Sequence, residues 1–122
     1  FFKGLFETAL KDGEIVTSVS FTVPAKAGYA KFPNPASRYA MTGVFVTKGK
    51  DGVCAAVTGA GDDGVFRSKE IEAALSKKFE ASALEGVKVP SGSLMEDMHA
   101  SSDYRAALIL AMAKRAVAQA NA

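Results

Sequence analysis

The run KFPNPASRYA, residues 31–40, brings together side chains that hold ligands rather than cleave them. Lys31, Ser37, Arg38, Phe32 and Tyr39 crowd around Pro33 and Pro35, and an apolar run follows at once. Each proline fixes φ near −65° and removes a backbone donor, so the stretch is a kinked loop whose shape is partly set before anything binds. Its chemistry is that of two cations, two aromatic rings and a polar main chain offered at one place.

Groups that could carry out covalent chemistry are scarce. His99 is the only histidine, and although Glu96 and Asp97 precede it, further ligands at workable spacing for a metal are missing. It reads as a surface or helix-entry residue. Cys54 sits in a β-rich run with no basic or histidine neighbour in sequence to activate it, so it reads as packing. GAGDDG, residues 59–64, lacks the Lys-Ser/Thr ending and the immediate helix of a phosphate loop, and is expected to be a turn between strands. Asp62 and Asp63 lack the spacing of a calcium loop. No G-x-S-x-G elbow occurs, and Ser37 has no local histidine. Neither a catalytic residue nor a metal site is assigned, so the domain is expected to assist the chemistry of another domain or cofactor.

The elements that must position these groups follow from periodicity. Residues 14–23, EIVTSVSFTV, alternate Ile15, Val19, Phe21 and Val23 against Ser18, Ser20 and Thr22, which predicts a half-buried strand closed by Pro24. Val16 is apolar on the otherwise polar side and must meet something other than the main core. AKAG, residues 25–28, reads as a loop before a short extended YAKF. Residues 40–48 and 53–60 are β-rich runs separated by Gly-Lys-Asp-Gly, an antiparallel hairpin central to the sheet. Ser68 is expected to cap a helix with Glu70 and Glu72 in its first turn and Ile71, Ala74, Leu75 and Phe79 on its apolar stripe. A last helix starts at Ser101 or Ser102 and runs to about Gln119, with Tyr104, Leu108, Ala111 and Met112 sharing a face. Arg105 beside Tyr104 reads as half of a surface ion pair. Strands first and helices afterwards predict an α+β fold, a mainly antiparallel sheet packed with two or three helices.

Composition excludes several classes. At 122 residues and 48% hydrophobic, the chain can bury one core and is read as a single domain, 1–122. A net charge of +2 is too small and too scattered for a nucleic-acid stripe or a polybasic membrane anchor. No apolar run approaches the roughly 20 residues of a membrane span. The lone cysteine fits a reducing cytoplasm. Phe1-Phe2, with no initiator methionine, is expected to be the seam of a fragment cut from a longer subunit.

Three blocks carry a resemblance over nearly the whole chain. FFKGLFETALKDGEIVTSVSFTVP, then GYAKFPNPASRYAMTGVFV, then DMHASSDYRAALILAMAKRAV resemble, in order and spacing, the C-terminal domain of the FAD-binding medium (flavoprotein) subunit of molybdenum hydroxylases. The closest likeness is to the medium subunit of aerobic carbon monoxide dehydrogenase. The resemblance implies an α+β sandwich that closes over FAD from the side, with the dinucleotide held mainly by N-terminal FAD-binding subdomains that precede it. It also implies partners: a large subunit with the molybdenum cofactor, where substrate is oxidised, and a small subunit with iron-sulfur clusters that pass electrons to the flavin and on to an external acceptor.

The resemblance further implies cofactor-binding roles. Val16 follows the E-I pair and corresponds to an apolar residue near the isoalloxazine; the other reading has it filling a gap beneath a loop. Residues 31–39 correspond to a loop bordering the ring, with Lys31 matching a lysine of relatives, Arg38 standing where many relatives carry an acid, and Tyr39 closing the loop. Lys31 and Arg38 also admit the reading of solvated charges on an edge loop. The competing function is a subunit-docking or dimerisation module with no flavin contact.

Overall fold

The computed structural model describes residues 1–4 and 6–122, and its centre is the hairpin expected around Gly49 and Gly52. In chain order, β1 (Phe2–Gly4) and β2 (Glu7–Thr8) form a small antiparallel sheet. Then β3 (Lys26–Pro33), β4 (Ala40–Gly49), β5 (Gly52–Thr58) and β6 (Phe66–Arg67) form an antiparallel sheet of order β3-β4-β5-β6. Two α-helices complete the described elements: α1 (Lys69–Lys77) and α2 (Ser102–Ala120), with a 3-10 turn at Ala81–Leu84 between them. The fold is α+β, as the order of elements predicts.

The period of two along each strand sends alternate side chains to opposite faces. Ala30, Val44, Val46, Ala55 and Val57 turn one way, and there α1 and α2 cover them with Ile71, Leu75, Ile109, Met112, Ala113, Ala116 and Val117. Burying each of these larger aliphatic side chains contributes about 1.5–3 kcal/mol, so this single layer of contact holds helices and sheet together. Helix α2 packs over β3 and β4, while α1 lies on β5. The approach of α2 is so close that a Cβ on Gly28 would meet the carbonyl oxygen of Ala116 at 2.0 Å. Glycine is therefore required at that crossing. The expected caps are present: the Ser68 side chain accepts from Ile71 N, and that of Ser101 from Tyr104 N.

Four expectations are corrected. Residues 14–23 form no strand, and Ile15, Val19, Phe21 and Val23 are 80–82% exposed. An alternating pattern states that one face wants cover, but pairing also needs a free edge, and the edge beside β3 is obstructed. Tyr29 N there donates to Gln119 Oε1 at 3.0 Å, and Pro33 has no N–H to offer. Residues 26–28, read as loop, instead begin β3, because pairing with Val46, Thr47 and Lys48 outweighs the weak local preference of Lys-Ala-Gly.

Helix α2 is rotated from the expected stripe. Its buried face is Arg105, Leu108, Ile109, Met112, Ala113, Ala116 and Val117, while Tyr104 and Ala111 are exposed. The alanine-rich sequence offers several stripes of similar hydrophobicity, and the close approach to Gly28 selects the one with alanines over the sheet. Arg105 is accordingly not a surface ion pair but a buried residue, 1% exposed.

Candidate functional site

Among the described residues no helix or strand packs on the face of the sheet turned away from the helices, and only the segment around Phe21, Thr22 and Pro24 runs against it. It is built from Ala27, Tyr29 and Lys31 of β3, Gly43, Phe45 and Thr47 of β4, and Cys54, Ala56 and Thr58 of β5, by strand alternation and register. Tyr29 and Phe45 stand directly opposite each other and are about two-fifths exposed. A Cβ on Gly43 would lie 2.6 Å from the Tyr29 hydroxyl, so the missing side chain is what lets the tyrosine lie down across β4. The result is a flat, largely apolar platform. Beside it, Phe21, Thr22, Pro24, Ala27, Phe45 and Thr47 line a hollow of about 560 Å³.

At the end of β3 the platform passes into the proline-bent turn, and an unforeseen residue organises it. Asn34 is buried; its Oδ1 accepts from Ala36 N at 2.9 Å and Ser37 N at 3.3 Å. Its main chain closes the turn, with Asn34 N donating to Tyr39 O at 2.8 Å and Arg38 N donating to Asn34 O at 2.9 Å. Asparagine satisfies nearby backbone donors in this way, and an Asn-Pro step is a turn signal that the sequence did display. The prolines limit the loop's freedom, but Asn34 sets its shape.

Three of the four residues assigned to cofactor binding come together here. Lys31 Nζ donates to the Arg38 carbonyl at 2.9 Å, tying the strand to the turn. Arg38 adopts φ +61°, a left-handed conformation that a side chain other than glycine adopts at a cost. Its own side chain is exposed, as is Tyr39. Asn34 Nδ2 stands 3.5 Å from the Tyr39 hydroxyl. Val16 lies apart: it is half exposed on the unpaired segment and enters neither the hydrogen bonding of the turn nor the hollow on the platform.

At the other end of the sheet, β5 and β6 meet a charged cluster. Glu72 accepts from Ala55 N at 2.9 Å and from Arg67 at 2.7 and 3.0 Å. Burial pushes its carboxyl up, but the Arg67 hydrogen bonds and the Ala55 amide outweigh that and hold it below the usual value. Burial pushes the Cys54 thiol up, against a smaller lowering by Arg67. Cys54 is thus a quiet thiol, as its surroundings in sequence indicated. His99 is exposed, and its main chain donates to Asp97 Oδ1. Residues 59–64 are a turn as expected, where Gly59 at φ +77° runs so close to β4 that a Cβ would meet Ala40 O at 2.0 Å.

No protein-family model matches the sequence, and no curated protein does. Among solved structures, the chain is similar to quinoline 2-oxidoreductase from Pseudomonas putida 86, with a TM-score of 0.72 at 21% identity over 98% of this chain. It spans 45% of the length of that neighbour chain. At this identity the likeness is one of fold, and it extends over nearly every element described above. No described helix is long and apolar enough to cross a membrane.

Proposed function

We propose that this chain is the C-terminal domain of the FAD-binding flavoprotein subunit of a molybdenum hydroxylase, of the type of the medium subunit of aerobic carbon monoxide dehydrogenase. The observation that carries this is the continuity of the flat Tyr29–Phe45 platform with the Asn34-held turn that presents Lys31, Arg38 and Tyr39. Support comes from the fold shared with quinoline 2-oxidoreductase and from the three sequence blocks.

The residues present suit a flavin ring. A planar heterocycle needs a flat apolar wall, and Gly43 keeps that wall level by leaving room for the Tyr29 ring. When bound, FAD supplies electron transfer between iron-sulfur clusters and an external acceptor. Lys31 and Arg38 place positive charge where it stabilises an electron-rich ligand, and the lysine does so from a fixed position because Arg38 O already holds its ammonium group. Phe45 and Tyr29 exclude water from one side of the pocket. In this reading N-terminal FAD-binding subdomains hold the phosphates, the molybdenum cofactor and iron-sulfur clusters belong to the large and small partner subunits, and the assembly works in the cytoplasm.

Titration of the isolated chain with FAD, followed by flavin fluorescence, tests the division of labour. Little or no binding is expected; tight stoichiometric binding overturns it. In the assembled flavoprotein, Lys31→Ala and Arg38→Ala are expected to shift the flavin potential or its reoxidation rate, with Lys88→Ala as a neutral control. A second reading, docking without flavin contact, is favoured by Phe1, Phe2 and the 99% exposed Phe6. Unchanged flavin chemistry with failed assembly in the same variants would favour it.

A further inference from the structure

Residues 15–23 are written as a strand and lack what a strand needs. Among the described residues, none of their backbone N–H or C=O groups has a protein partner. Ile15, Val19, Phe21 and Val23 share one side of the two-residue period at 80–82% exposure, with Ser18, Ser20 and Thr22 on the other. Extended chain with one apolar side and one polar side is a stable arrangement only beside another strand, over an apolar surface.

Among the described residues, no strand of the domain pairs with this segment. The domain's β3 edge is blocked where Gln119 takes the Tyr29 amide and where Pro33 has none. On the other side β6 covers β5 at Ala56 and Val57, and next to it the Glu72 carboxylate takes Ala55 N. Side chains from α2 and α1 thus take backbone donors of β3 and β5 that a further strand would need, one way in which sheet edges are protected. With no partner strand among the described elements, a sheet outside them is the pairing partner this segment lacks. More than half of the neighbouring quinoline 2-oxidoreductase chain has no counterpart here, so a parent subunit of similar length contains additional chain to provide it.

We propose that residues 15–23 are a donor strand that adds to the open edge of a β-sheet in the flavin-binding part of the parent subunit, with Ile15, Val19, Phe21 and Val23 turned into that sheet's apolar side. This rests on the reading of the chain as a flavoprotein domain. Main-chain bonding supplies the attachment, and the alternate apolar side chains fix the register, since a slip of one residue would send Ser18, Ser20 and Thr22 into the apolar side. Phe21 has a double position, because it also lines the hollow beside Phe45. The donated strand would then join the foreign sheet directly to the platform.

Hydrogen exchange of the amides of residues 15–23 is the test, measured in the free chain and in the intact flavoprotein. Fast exchange in the free chain and protection of at least alternate amides in the intact protein are expected. Fast exchange in both, or protection in the free chain through self-pairing or a dimer, overturns the proposal. In the intact flavoprotein Phe21→Asp is expected to speed exchange of these protected amides at least about tenfold, whereas Ser18→Asp on the polar side leaves their exchange within about threefold. Circular dichroism of the free variants confirms that their folds are intact, and equal effects of the two substitutions would count against the assigned face. FAD content is read in parallel: protection without bound FAD sinks the flavin reading and leaves the strand, while bound FAD with an unprotected segment does the reverse.

Discussion

Arg105 Nη2 donates to Asp97 Oδ2 at 2.8 Å, and the same buried guanidinium donates through Nη1 to the carbonyls of Met41 at 2.8 Å and Gly59 at 3.1 Å. One side chain therefore fastens α2 to the start of β4, the end of β5 and the segment that leads into the helix. The Ser101–Arg105 run that opens α2 thus owes its physical importance to the arginine, which closes three chain segments at one point.

Replacing Arg105 by Met keeps the volume and strands two buried carbonyls, so a loss of about 3 kcal/mol is expected from the unsatisfied acceptors, read as a lower urea midpoint. Asp97→Asn tests the charge. The amides of His99 and Ala100 together with Arg105 hold the Asp97 carboxyl below its usual value. A carboxyl depressed on folding contributes stability above its unfolded pKa, near 3.8, and loses that contribution as pH falls through the lower folded value. The native protein is therefore expected to exceed Asp97→Asn in stability at pH 7 and to converge with it under acid, measured by urea unfolding at pH 7 and near pH 2.

Cys54 reports on the Arg67–Glu72 pair. Burial raises the thiol, Arg67 lowers it, and Glu72 raises it again by charge and by hydrogen bonding. Removing the carboxylate charge with Glu72→Gln leaves Arg67 uncompensated, which shifts the thiol toward thiolate. Alkylation of Cys54 by iodoacetamide at pH 8 is expected to be slow in the native protein and several-fold faster in the variant. A slower reaction in the variant would show that the carboxylate does not raise this thiol.

Most of the fold was legible because its signals are local. The Gly-Lys-Asp-Gly hairpin, the Ser68 and Ser101 caps and the strands-then-helices order all depend on residues within a few positions of one another. The failures were non-local. Nothing near residues 14–23 reveals that Gln119 blocks the edge beside β3, and nothing near Arg105 reveals that Met41 and Gly59 supply its acceptors. At the candidate site, Lys31, Arg38 and Tyr39 were legible as a cluster because they share one turn, whereas the platform of Tyr29, Gly43 and Phe45 exists only once β3 and β4 are in register.

The crossing of α2 over β3 predicts a sharp contrast between two glycines. At Gly28 a Cβ would collide with the backbone of Ala116 at 2.0 Å and approach Ala120 N at 2.9 Å, and a helix backbone cannot yield as a side chain does. Gly28→Ala is expected to cost about 3 kcal/mol or more, in the upper range for overpacking. Gly92→Ala, where a Cβ would meet nothing within 4 Å, is expected to change stability by less than about 0.5 kcal/mol. Thermal unfolding followed by circular dichroism separates the two.

Arg38 joins conformational strain to the proposed function. Its φ of +61° is maintained because Asn34 O accepts from its N–H and its own carbonyl accepts from Lys31, bonds that close the turn around it. Glycine adopts that backbone freely, so Arg38→Gly is expected to leave thermal stability unchanged or raise it by up to about 1 kcal/mol. Asn34→Ala removes the acceptor for two amides and is expected to cost about 1–2 kcal/mol. If the arginine served only the fold, the glycine variant would lose nothing. If it supplies charge to a bound flavin, Arg38→Gly gives an intact turn with an altered flavin potential, Arg38→Lys restores much of the potential at the original strain, and Asn34→Ala perturbs both. Unfolding curves paired with redox titration of the assembled flavoprotein distinguish these outcomes, and an unchanged potential in Arg38→Gly would remove this side chain from the flavin's surroundings.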